Sequence, residues 1–224
     1  MDTASLYRAT RDRLLVVAGD LSEEELTRPV AALPGWTVLD TYAHLTGVCA
    51  DMLDGRLEGA GSPPWTAVQV AARAGRSLAE VAAEWADRGP DLDRLLAEGD
   101  SARTGFVGFD VWTHEQDIRS TVGLGCGRDD DRVRFLGARG LEIFGPRFDS
   151  EGTAPLLVVT EQGESVLGTG APAVTLRISS YEFLRTVFGR RSRSQIEAAG
   201  WEGDPSPFID RLSLFDLPET DLPD

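Results

Sequence analysis

The chain has 224 residues, 42% hydrophobic and 26% charged, a globular balance long enough for one large domain or two small ones. All 22 basic residues are arginine against 37 acidic ones, and the formal net charge of -15 disfavours nucleic acid and anionic membrane surfaces as partners. No apolar run spans a bilayer, MDTASLYRATRDRL lacks a signal-peptide core, and Cys49 and Cys126 are too few for a disulfide framework, so a cytoplasmic protein with free thiols is expected.

The first 127 residues or so read as helices. Leu6, Leu14, Leu15 and Val17 fall among charges over Asp2 to Ala18, the pattern of an amphipathic helix. Ser22-Glu-Glu-Glu25 fits a capping box, in which serine and glutamate satisfy orphan amides, and opens a short helix ending before Pro29. After the Pro34-Gly35 break, Thr37 and Asp40 start a longer helix over about Val38 to Leu57. Gly59 to Pro64 is a loop, Trp65 to Ala74 a helical stretch, and Ser77-Leu-Ala-Glu80 caps a helix running to about Leu96. A loop over 98–104 leads into a last helix, Phe106 to Val122, and the set fits a four-helix bundle.

Gly123 to Arg128 reads as the domain link. Asp129 to Phe144 is expected as one more helix, and Pro155 to Thr160, Glu164 to Thr169 and Ala173 to Ile178 as strands. Ser180 to Phe188 and Pro205 to Phe215 read as helices, and the acidic tail Asp216 to Asp224 is expected to fray. The expected architecture is therefore α+β: a helical bundle over 1–127, a small α/β domain over 128–215 and a flexible tail over 216–224.

Only two histidines occur, each on a predicted bundle helix. His44 lies in the Val38 helix; Asp110 and His114 are an i, i+4 pair on one face of the last helix, with Asp117 three residues on. Glu115 points about a quarter-turn away. A carboxylate and an imidazole from one helix and a histidine from another make three ligands, the number a catalytic zinc site uses; iron and nickel also accept such a set. The spacing equally fits a hydrogen-bonded core histidine beside a local acid–imidazole pair. Both readings stand on spacing alone.

The strings GWTVLDTYAHL and FDVWTHEQDIRSTVG resemble the mycothiol-dependent maleylpyruvate isomerase family, within the DinB-like metal-binding bundles. Gly170-Ala-Pro-Ala173, Leu176, Phe188-Gly189-Arg190 and Gly203-Asp204 continue the likeness in the second half. The resemblance implies a divalent metal, zinc before nickel or iron, on His44, Asp110 and His114. Aspartate stands where the family pattern has glutamate; one methylene shorter, it requires a closer approach of the helices or a water in the shell. The resemblance further implies catalytic roles for Asp117 and Arg190 and contacts to the thiol cosubstrate, mycothiol, from Arg119 and Arg190. A plain alternative makes Arg119 a solvated surface cation and Arg190 a helix-terminal one. The remaining tryptophans, Cys49 and Cys126 are read as core, pocket wall or bystanders.

The resemblance implies an isomerase or thiol transferase acting on a small electrophile, in a monomer or homodimer. A metal-dependent hydrolase and a non-catalytic binding module on the same bundle are its rivals. The lysine-free composition fits a GC-rich, actinobacterial genome.

Overall fold

Helix starts in this protein are written locally. In the computed structural model, which describes residues 1–99 and 102–223, α1 (Thr3–Asp20), α2 (Glu23–Leu26), α3 (Val38–Asp54) and α5 (Leu78–Glu98) each open on a reciprocal capping box. Those at Ser22/Glu25, Thr37/Asp40 and Ser77/Glu80 fall where the sequence places them. α3 stops at Gly55, whose φ of 71° is a left-handed conformation that costs glycine nothing. α4 (Pro63–Ala71) begins with proline in its first turn, and α6 covers Ala102–Thr121. The loop expected over 98–104 lies partly outside the described residues.

These six helices form the first of two units, Met1–Cys126. α3 runs through its middle: every residue from Thr41 to Met52 is buried. Trp85 on α5 is fully enclosed, its Nε1 donating to the Tyr7 hydroxyl of α1 at 2.7 Å. The Tyr42 hydroxyl of α3 donates to the Leu14 carbonyl at 2.8 Å, and Arg11 holds Asp93 of α5 through two hydrogen bonds. These buried polar groups of α1, α3 and α5 are thus paired across helices.

The second unit, Gly127–Pro223, has a four-stranded sheet of order β2-β1-β3-β4. Its strands are β1 (Leu156–Thr160), β2 (Gly163–Leu167), β3 (Val174–Arg177) and β4 (Gly200–Glu202), with β1 and β3 parallel and the other pairs antiparallel. α7 (Asp131–Ser150) and α8 (Ser180–Val187) pack with it over Leu156, Val158, Leu176, Phe183 and Leu184. The architecture is α+β.

Three local expectations need correction. α7 does not end at Phe144 but continues through Pro146, because Phe148 is 2% exposed and its burial outweighs the lost backbone bond. Pro205 to Phe215 forms no helix. It folds as successive i→i+3 turns that bury Phe208, Ile209 and Leu212, while the regular elements α9 (Arg193–Glu197) and β4 precede it. The acidic tail does not fray: Leu222 is buried and exchanges backbone hydrogen bonds with the Gln195 amide, and Asp221 accepts from Ser192 and Ser194. Its last residue, Asp224, lies outside the described residues. No helix among the described residues is long and apolar enough to cross a membrane.

Candidate metal centre

Because α3 is buried on all sides, His44 enters the interior, 2% exposed. Asp110 and His114, one turn apart on α6, meet it there. Asp110 Oδ1 lies 3.5 Å from His44 Nε2 and 3.5 Å from His114 Nε2, and one ligand atom from each residue falls within 4.8 Å of the others. Ligands about 2.0–2.2 Å from a tetrahedral ion stand roughly 3.3–3.5 Å apart. The two edges that meet at Asp110 already have that length, so the shorter aspartate reaches both imidazoles without help. Asp110 Oδ2 is buried with no hydrogen-bond partner, an arrangement whose cost a cation would remove. The donor set, two imidazoles and a carboxylate, suits a divalent ion.

The electrostatics agree. Burial pushes the Asp110 carboxyl upward, but the imidazoles of His44 and His114 outweigh it and hold the group well below the usual carboxylate range. Burial works against a charged His114, and the carboxylates of Asp110 and Asp117 reverse that, raising its pKa.

Around the triad, Asp117 is fully enclosed and lies 3.2 Å from His114 Nδ1, leaving Nε2 toward Asp110. On the other histidine the partner is Gln69 of α4, whose Oε1 lies 2.7 Å from His44 Nδ1. Trp36, just before the α3 cap, lies tilted against His44 at 5.0 Å and stacked on His114 at 6.4 Å, and Trp65 meets His44 edge-on at 6.4 Å. Both indoles are half-buried and wall the site. Glu115 turns to α1, where Arg13 Nε donates to it at 2.8 Å.

The other expected site residues are placed differently. The Arg119 guanidinium turns to the loop after α6 and donates to the Gly125 carbonyl at 2.8 Å. Arg190 belongs to the second unit, where it is 7% exposed and donates to the Phe188 carbonyl at 2.6 Å. Trp65 is pocket wall, as expected of the tryptophans, whereas Gln69 has no place in the sequence reading. The available signal was a lone amide in the otherwise apolar run PPWTAVQVA, one turn after a tryptophan.

Comparison with known proteins places this geometry in context. A family model described as the DinB superfamily matches residues 6–118, half of the chain. Among solved structures, the mycothiol-dependent maleylpyruvate isomerase matches with a TM-score of 0.50 at 16% identity, over 84% of this chain and 88% of that one. A histidine-to-alanine variant of that enzyme matches equally. No curated protein matches.

Proposed function

The chain belongs to the DinB superfamily, and from that membership we propose that it is a metal-dependent enzyme using a low-molecular-weight thiol, mycothiol, to isomerise or S-conjugate a small electrophile. The observation that carries the reading is the convergence of one ligand atom each from His44, Asp110 and His114 within 4.8 Å, with Asp110 Oδ1 3.5 Å from both Nε2 atoms and its other oxygen unpartnered. His44, Asp110 and His114 would hold a divalent ion, zinc, nickel or iron; bound there, it lowers the pKa of a thiol and supplies thiolate at neutral pH.

The chain's own residues do the rest. Asp117 and Gln69 fix the two imidazoles through their Nδ1 atoms, and Trp36 and Trp65 screen the site from bulk water, which strengthens every charge interaction inside it. Asp117, enclosed against His114, orients that ligand. The likeness to an enzyme named for mycothiol and maleylpyruvate supports the choice of thiol and of an activated double bond as the substrate class. Arg119, on the same helix as Asp110 and His114, is the residue proposed to meet an anionic group of the cosubstrate.

The test has two stages. Protein purified without chelator is analysed for metal, and the loaded protein is then given mycothiol with maleylpyruvate or other small electrophiles. Stoichiometric metal, lost in His114→Ala, with thiol-dependent turnover is the expected result. A protein that takes up no divalent ion, or that hydrolyses esters or amides with no thiol requirement, would overturn the reading.

A further inference from the structure

The least expected side chain of the first unit is Gln69. It is 2% exposed and the only buried residue of α4, while its neighbour Val68 is 67% exposed, the reverse of an amphipathic helix. A buried amide needs partners at both ends. Gln69 Nε2 donates to Asp51 Oδ2 at 2.7 Å, and Oε1 lies 2.7 Å from His44 Nδ1.

That chain of contacts has one direction. Asp51 is paired with Arg56 at 2.8 Å, and a carboxylate so paired only accepts, so the amide nitrogen of Gln69 must face it. The carbonyl oxygen is thereby turned to His44. It too only accepts, so His44 Nδ1 must carry a proton, and Nε2 is left as the nitrogen turned to Asp110 and available to a metal. The close approach depends on a glycine. A Cβ on Gly47 would lie 2.5 Å from the Gln69 Cβ and 2.7 Å from its Cγ, so any larger residue on α3 would push α4 outward.

We propose that Gln69, oriented by Asp51 and admitted by Gly47, is a positioning residue that fixes His44 as its Nδ1–H tautomer and so presents Nε2 to a metal. The inference rests on the metal reading above, and its test separates the two. Imidazole ¹⁵N spectra of the metal-free protein report the tautomer directly. Wild type should show His44 protonated at Nδ1, and Gln69→Met, which keeps the length but removes the acceptor, should lose that Nδ1 proton. Zinc or cobalt affinity should fall about 10–100-fold in that variant, the usual cost of losing an outer partner of a ligand histidine. Gln69→Glu combined with Asp51→Asn reverses the donor and acceptor between those two positions while keeping an acceptor on His44, and should restore both readouts. Should Gln69→Met fail to fold, Asp51→Asn alone releases the amide and should give a smaller loss in the same direction; unchanged affinity and tautomer there would count against the proposal.

If wild type binds metal and Gln69→Met binds it equally well with the His44 resonances unmoved, the Gln69 proposal is overturned and the metal reading stands. If wild type binds no divalent ion, the metal reading fails, and the tautomer spectra alone decide for or against Gln69.

Discussion

Replacing Asp110 by asparagine is the sharpest perturbation of the centre. The side chain keeps its size, so the packing around α6 is preserved, but the only anionic donor of the three is lost. A ligand that binds only the native state stabilises it by about 2.7 kcal/mol when present at 100 times its dissociation constant. For a chain of this size that is a rise in Tm of roughly 5–11 °C, at about 2–4 °C per kcal/mol. Asparagine keeps a neutral oxygen there but strips the charge from a donor that stands at tetrahedral edge length from both imidazoles. Its loss should weaken binding by at least about 100-fold, the upper end of what losing a mere outer partner does. At the same metal concentration the stabilisation then drops to about 0.4 kcal/mol, or a shift of roughly 1–2 °C. The assay is a pair of thermal melts for each protein, with chelator and with zinc, cobalt or nickel, so that each protein is its own reference. A wild type unmoved by all three ions, or an Asp110→Asn variant that keeps the full shift, would refute the reasoning.

The raised pKa of His114 makes metal uptake a proton-releasing event: its imidazole stays protonated above the ordinary 6.5 in the metal-free protein, and a ligand must be neutral. Indicator dye should register proton release on loading near neutral pH, and affinity should fall as pH falls. In the metal-free protein the same group contributes stability that is fully present below 6.5 and is lost as pH rises through its raised value, which denaturant titrations at several pH values will show. Burial pushes the Cys49 thiol up to about 11 and encloses it completely, so iodoacetamide should label the half-buried Cys126 first and reach Cys49 only in denaturant, as read by peptide mass spectrometry. Tyr42→Phe removes the hydroxyl that donates to the Leu14 carbonyl and should cost about 1 kcal/mol, seen as a lower urea midpoint with unchanged slope.

What this sequence determined by itself is local. Ser22, Thr37 and Ser77 start their helices through partners three residues away, so the same few letters that are read also form the bond. The three strands with β-branched or alternating character emerged within a residue or two of their expected bounds for the same reason. The i, i+4 placement of Asp110 and His114 is likewise a property of one helix.

Where burial overrides local preference, the letters mislead. Phe148 carries α7 past Pro146, and Phe208, Ile209 and Leu212 bury themselves from turns rather than from a helix. The centre itself belongs to this second class. Spacing alone left His44 either a core histidine or a ligand. Only the packing of α3 against α4 and α6 sets its Nε2 3.5 Å from Asp110 and its Nδ1 against Gln69. These contacts link residues 66 and 25 positions apart, and no local pattern encodes them. They depend on the shape of a packed interior, down to the missing Cβ of Gly47, and that shape exists only once the helices have met.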